Sequence, residues 1–424
     1  MIEPAPMAWP TKRLRFLTQR HSSEEQRLRL ATVSRVTFLP MEAIGEQGDL
    51  DLSSVRDLED VEKGYTQFFD GDVVVAKITP CFENGKGALI KGTLEGVGFG
   101  TTELHVLTPG PELDGRFLYY VTASSPFRKL GEASMTGAAG QKRVAEDFVR
   151  DFPSPILALA QQRAIANYLD RELARLDALV AAKERLLQLL AEKRRALIIR
   201  AVTRGLDPNA PLRDSSISWL GQIPAHWETK RAKWLFTERD ERTLTGEEVL
   251  LSLRMERGLV PHNEVSAKLT SPDELVGYKR TSPGEIVVNR MRAAIGLIAV
   301  SPQAGLVSPD YAVFVPSSNA SADYYFHLFT TDLLGAVFRS LSTGLGTGSS
   351  GFLRLYSDTF LALWLPHPTV AEQRAIVEHI GRNTAELDEM RAATERTITL
   401  LMERRSALIA AGVTGQIAIP EADG

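Results

Sequence analysis

Gln162-Arg163-Ala164-Ile165 and Gln373-Arg374-Ala375-Ile376 stand 211 residues apart, and the stretches around them align from Pro155–Thr203 onto Pro366–Thr414 without a gap. Leu176-Asp177 repeats as Leu387-Asp388, Glu184-Arg185 as Glu395-Arg396, and Leu189-Leu190 as Leu400-Leu401. Ala196-Leu197-Ile198 returns as Ala407-Leu408-Ile409, and Val202-Thr203 as Val413-Thr414. In all, 23 of 49 positions are identical, which makes the chain an internal duplication.

Both copies read as long helices. Neither has an internal proline, and glycine enters only near the ends of the second, at Gly381 and Gly412. Strong helix formers dominate. Apolar residues recur at three and four: Ile165, Leu169, Leu173, Leu176, Val180, Leu187, Leu190 and Leu197, then Ile376, Ile380, Leu387, Met390, Ile398, Leu401 and Leu408. That is coiled-coil spacing over roughly six heptads. A helix of about 45 residues is about 65–70 Å long. Each is preceded by a proline stop, Pro153-Ser154-Pro155 or Pro366-His367-Pro368, and Gly205-Leu206-Asp207-Pro208 ends the first. A stripe of this kind usually packs on its own globular core. Here two equal stripes from one duplication, each too long for the block before it, predict antiparallel pairing of the helices with each other.

Outward from the helices the duplication weakens. Gly71-Asp72-Val73-Val74-Val75 resembles Gly284-Glu285-Ile286-Val287-Val288, and the blocks open with Trp9-Pro10-Thr11-Lys12-Arg13 and Trp227-Glu228-Thr229-Lys230-Arg231. The blocks read as mixed α/β. Strands are expected at Asp72–Ile78, Glu103–Leu107, Glu285–Asn289, Gly296–Val300 and Tyr311–Val315, and helices at Phe117–Ser124 and Ala322–Leu341.

The chain has 424 residues, 44% hydrophobic and 24% charged, enough for two or three domains of an ordinary globular protein. No apolar run approaches the length of a membrane span. The opening MIEPAPMAWPTKR has no apolar region after a basic start, so no secretory signal is expected. Cys81 is the single cysteine, which excludes an internal disulfide and a cysteine-based zinc site; a reducing cytoplasm fits best. The net charge of −4 does not announce a nucleic-acid binder. Residues 1–153 hold 18 Lys/Arg against 22 Asp/Glu, and residues 207–366 hold 15 against 17, so a DNA-binding surface must come from charge segregated onto one face.

A globular block, a proline-rich entry, a Gln-Arg-Ala-Ile helix start and a long helix ending in Arg-Arg-x-Ala-Leu-Ile, all done twice, resemble the specificity subunit of a type I restriction–modification system. Gly140-Gln141-Lys142-Arg143-Val144 before the first helix and Ile223-Pro224-Ala225-His226-Trp227 opening the second half are similar to segments of that family. The first half departs from it, opening Met7-Ala8-Trp9-Pro10. The resemblance implies target-recognition domains at 1–153 and 207–365, spacer helices at 154–206 and 366–415, and a tail at 416–424. Each recognition domain would read one half of a split, asymmetric double-stranded DNA site. The helices would set the gap between the halves and dock two methyltransferase subunits, with restriction subunits joining the complex. It further implies no cofactor on this chain: S-adenosylmethionine would come with the methyltransferase subunits, ATP and Mg2+ with the restriction subunits.

No catalytic motif is complete in the sequence. Gly346-Thr347-Gly348-Ser349-Ser350-Gly351 satisfies G-x-G-x-x-G, but a dinucleotide site needs a strand before it and a helix after, and here a helical segment precedes it. A recognition loop whose backbone amides approach a phosphate is the better account. Gly85-Lys86-Gly87 lacks the spacing of a phosphate-binding loop, no Asn/Asp-Pro-Pro-aromatic tetrapeptide of an amino-methyltransferase is present, and the seven histidines lack metal-ligand spacing. The candidates for DNA contact are polar and basic residues around the strands: Lys77, Thr79, Lys86, Gln141, Lys142 and Arg143, then Asn289, Arg290, Arg292, Ser349 and Arg354. Arg and Lys pair with guanine edges, Asn and Gln with adenine. Taken singly, each is as readily solvated surface. The competing functions are a coiled-coil scaffold with protein-binding globular domains, and an enzyme.

Overall fold

The computed structural model describes residues 9–138, 140–267, 270–345 and 352–417. It divides into two compact units, residues 1–184 with 395–424, and residues 185–394. Each unit takes one globular block and half of each long helix.

The first unit is built on an antiparallel sheet of β1 (Thr18–Gln19), β2 (Val73–Ala76), β3 (Gly87–Leu89) and β4 (Leu104–Pro109), in the order β1-β4-β2-β3. The second has β5 (Phe236–Arg239), β6 (Ile286–Asn289), β7 (Ile298–Val300) and β8 (Tyr311–Pro316), in the order β5-β8-β6-β7. The two orders are the same, so the duplication seen in the helices extends through the blocks. The apolar runs Val73–Ala76 and Ile286–Val288 follow from burial on both faces. Side chains alternate along a strand. Val73 and Val75 face a core shared with the helices Gly115–Ala123 and Ser125–Ser134, while Val74 packs on the other side with Leu39 and Phe68. Likewise Ile286 and Val288 join Tyr324, Phe329 and Phe338, and Val287 joins Leu251 and Leu253.

Beyond these central sheets both units carry an outer layer with a parallel pairing, more extensive in the first. The first adds a four-stranded sheet in which Arg35–Leu39 pairs parallel to Val97–Gly100. The second has two strand pairs, Leu251–Arg254 with Gly258–Pro261 and Lys279–Thr281 with Gly305–Val307, joined by a parallel bridge between Leu250 and Leu306. The single helix expected over Ala322–Leu341 is two, Ala322–Phe329 and Asp332–Leu341. Thr331 breaks it: its backbone is extended and its hydroxyl caps the second helix at Leu334 N–H.

The long helices are α1 (Leu159–Arg204) and α2 (Val370–Thr414). Glycines in the left-handed region, Gly205 (φ 71°) and Gly415 (φ 78°), stand just past their ends. In each unit the two helix segments run antiparallel. In the first, Ile165, Leu169, Leu173 and Leu176 of α1 share a core with Leu401, Ile409 and Val413 of α2. In the second, Ala201 and Val202 pack with Ile376 and Ile380. The ion pairs across the helices are reciprocal: Arg405 Nε meets Asp177 at 3.1 Å, and Arg194 Nη1 meets Asp388 at 2.6 Å. Asp177 and Asp388 are duplicates, as are Arg194 and Arg405. Self-complementary pairing of a duplicated element produces this pattern. Met390, expected on the seam, is instead 47% exposed. No helix among the described residues is long and apolar enough to cross a membrane.

Candidate nucleic-acid interface

The Gln-Arg-Ala-Ile motif fixes each block to its helix. Gln162 accepts from Asp114 N–H (2.8 Å) and donates to the carbonyls of Glu112 (2.8 Å) and Leu157 (2.9 Å). Gln373 accepts from Ser321 N–H (2.7 Å) and donates to Asn319 (3.1 Å) and Pro368 (2.9 Å). Both amides are buried, and Asp114 and Ser321 each cap the helix that follows them. The clamp holds the block's central helix against the start of the long one, so the edge loops of the sheet stand on a rigid base.

In the first unit those loops meet at the exit of β2. Lys77 N–H donates to Glu103 O, Val144 N–H to Lys77 O, and Thr79 N–H to Lys142 O. Lys77, Thr79, Gln141, Lys142 and Arg143 are therefore brought together from segments about 65 residues apart, joined as in a β ladder. Gln141, Lys142 and Arg143 are exposed. Arg143 is held by Glu103 through Nε (2.9 Å) and Nη2 (2.8 Å). This bond keeps the Glu103 carboxyl below its ordinary pKa. Thr79 donates to Glu83 at 3.0 Å, and Lys86 donates its ammonium to Met41 O at 2.8 Å, so the side chain of Lys86 is engaged inside the block.

The turn between β2 and β3 is held from beneath by Arg128, which sequence reading passed over. Its guanidinium is buried and donates to the carbonyls of Phe82 (3.1 Å) and Gly85 (3.0 Å). Burial lowers its pKa to about 10, which leaves it charged at neutral pH. Beside the same loops lies a cleft of about 590 Å3 whose walls include Lys77 and Arg143, joined by Arg15, Arg20 and Arg150. Those three were not legible as candidates, because they come from separate segments that only the fold assembles. Each has a carboxylate near: Asp151 for Arg15, and Glu146 for Arg20 and Arg150. His105, also in the cleft, meets Val144 O at 2.9 Å, and burial lowers its pKa.

In the second unit the corresponding turn follows β6. Asn289 is buried and its Oδ1 accepts from the N–H groups of Met291 (3.0 Å) and Arg292 (3.2 Å), so its side chain shapes the turn. Arg290 Nε donates to Asp310 O at 2.9 Å, while Arg292 is exposed at the turn's apex. Arg354 lies 3.4 Å from the Asp310 carboxylate, and Leu355 N–H donates to Arg290 O at 2.9 Å, which ties the 352–355 segment to the turn. Ser349 and the 346–351 glycine motif lie outside the described residues. Each unit thus gathers basic and polar side chains at the exit of one strand. Such a surface can donate to phosphates and to base edges.

No family model matches the chain. Among curated proteins, the type I restriction enzyme EcoAI specificity subunit of Escherichia coli is 44% identical over 132 residues, 31% of this chain and 22% of that protein. The EcoEI specificity subunit of Escherichia coli is 42% identical over 134 residues, 31% of this chain and 23% of that protein. The match therefore spans under a quarter of each relative. Among solved structures, a chain from a study of complex assembly in a type I R-M system superposes with a TM-score of 0.72 at 16% identity, covering 98% of this chain and all (100%) of that one. The HsdS subunit from Thermoanaerobacter tengcongensis gives 0.58 at 16% identity, covering 97% of this chain and 98% of that one. The chain is thus similar in sequence, over about a third of its length, to two type I restriction enzyme specificity subunits, and over nearly all of its length it has the fold of the HsdS subunit from Thermoanaerobacter tengcongensis.

Proposed function

We propose that the chain is the DNA-reading subunit of a type I restriction–modification complex, with no catalysis of its own. The observation that carries this reading is the duplicated plan: two blocks with one sheet order, each clamped by a buried glutamine onto the same antiparallel helix pair. Each block reads one half of a split double-stranded site through the strand-exit surface described above. Because the loops of the two blocks differ in sequence, the two halves of the site differ in sequence. The paired helices set the number of unread bases between them. They also dock two methyltransferase subunits, and exposed Leu179, Leu186 and Leu189 on α1 are apolar surface suited to that. S-adenosylmethionine, ATP and Mg2+ belong to the methyltransferase and restriction subunits, and the complex works in the cytoplasm.

The test is single-molecule mapping of methylated adenines in host DNA with and without the gene. A split asymmetric motif that vanishes on deletion is the expected result. If the complete complex, methyltransferase subunits included, bound all duplexes equally, the reading would be overturned. A scaffold with protein-binding blocks would instead show no salt-dependent DNA affinity at all.

A further inference from the structure

The two blocks differ over most of their surfaces, so an exposed feature that recurs in both needs a reason common to both. One such feature lies at their openings. Thr11-Lys12-Arg13-Leu14-Arg15-Phe16-Leu17 corresponds to Thr229-Lys230-Arg231-Ala232-Lys233-Trp234-Leu235. Both copies fold the same way. Thr11–Arg13 pairs with Pro153–Pro155 and Glu228–Arg231 with Trp364–His367, and a single 3-10 turn follows each strand. Leu14 and Ala232 anchor these turns in the cores. The turns then present an aromatic ring outward: Phe16 is 62% exposed and Trp234 68% exposed. Retaining the buried anchors needs only the fold. Keeping a large ring mostly exposed among the described residues of both copies does not follow from folding.

Lysines and arginines flank both rings in sequence, in blocks whose overall balance is acidic. In the second unit Lys233 Nζ lies 5.3 Å from the Trp234 ring, and Arg231 lies 5.4 Å from the ring of Trp364, itself 45% exposed. Neither cation has a carboxylate partner among the described residues. In the first unit Arg13 and Arg15 share Asp151, at 3.5 and 2.5 Å, and Lys12 stands 3.9 Å from Glu112. Exposed aromatic rings with arginine and lysine around them are the composition of a protein-binding hot spot. Phosphates would engage the cations but would leave the rings in water. A DNA surface that reads two different half-sites would also be free to differ between the blocks, whereas these turns agree.

We infer that the turns at Phe16 and Trp234 are duplicate docking sites for two copies of one protein partner, which presents an apolar pocket rimmed by carboxylates. Resting on the function proposed above, that partner is the methyltransferase subunit. Its attachment then reaches beyond the long helices onto the opening strand of each block.

The test uses the full chain, the methyltransferase subunit of the same system, and the variants Phe16→Ala, Trp234→Ala and their double, with sedimentation velocity as the readout. The parent chain is expected to bind two subunits. Each single variant should lose at least about tenfold in affinity for one of them, and the double variant for both, with thermal unfolding unchanged because the rings are exposed. Trp234→Phe should restore most of the loss, and Lys233→Glu should reproduce part of it. A double variant that binds two subunits with the parent's affinity would overturn the inference. So would one that keeps both subunits but loses affinity for random duplex, since the turns would then be DNA contacts. A parent chain that binds no methyltransferase subunit would overturn the proposed function itself, a distinguishable result.

Discussion

The two central sheets share strand order, both-face burial and a glutamine clamp, whereas the layers outside them are paired to different extents. The first unit continues into a second four-stranded sheet with a parallel pair, while in the second unit two strand pairs are joined by a single parallel bridge, Leu250 to Leu306. The strand-exit surfaces diverge in the same way. The first uses the Gln141–Arg143 segment laid against Lys77 and Thr79, and the second a tight turn shaped by buried Asn289. What the units keep in common is what holds a block on its helix. What they let vary is the surface a long ligand would meet. A divided molecule of this kind keeps one mounting and changes the head.

The strongest way to break that comparison is to cut into the shared base. Leu169 and Ile380 are duplicates, both fully buried between block and helix. Leu169→Ala and Ile380→Ala should each cost about 2–5 kcal/mol. Calorimetry should show each variant melting its own unit earlier; equal loss in both units from one substitution would deny their separate cores.

The clamp comes next. Gln162→Ala and Gln373→Ala each take their amide partner from two carbonyls and one N–H, at a cost of about 1–3 kcal/mol. Urea denaturation should give the two variants similar values, because the hydrogen-bond sets match. A neutral result in one would mean that its clamp is replaceable.

Arg128 sharpens the comparison on the variable side. Arg128→Met keeps the stem's packing but frees the carbonyls of Phe82 and Gly85, costing about 1–2 kcal/mol. If the β2–β3 turn helps read DNA, methylome mapping should show degenerate bases in one half-site and an unchanged other half. Degeneracy in both halves would contradict independent reading.

The smallest effect is on pH. Burial lowers the pKa of His105 in the first unit and of His327 and His367 in the second. Below the ordinary histidine value of 6.5 the unfolded chain takes up these protons before the folded one does, so stability falls as pH drops through that value toward the lowered ones. With two such histidines against one, the second unit should lose more hydrogen-exchange protection between about pH 7.5 and 5.5. Equal loss would mean that other groups dominate that window.

Sequence alone determined the duplication, the two long helices, most strands of the central sheets and the resemblance to specificity subunits. These are carried by local regularities: gapless identity, three-and-four apolar spacing, and short β-branched runs bounded by turn residues. It also picked out residues that the fold gathers at one strand exit in each block, Lys77 with Gln141–Arg143, and Arg290 with Arg292 and Arg354. Only the tertiary structure decided what each side chain is occupied with. Lys86 is engaged by a carbonyl and Arg143 by Glu103, while Arg15, Arg20 and Arg150 enter the same cleft from distant segments. It also explained Gly412, a poor helix former: a side chain there would stand 3.1 Å from Leu169 on the facing helix. The physical reason is separation along the chain. A helix or strand is encoded by its neighbours in sequence, but a charge's partner or a close approach is set by residues tens to hundreds of positions away.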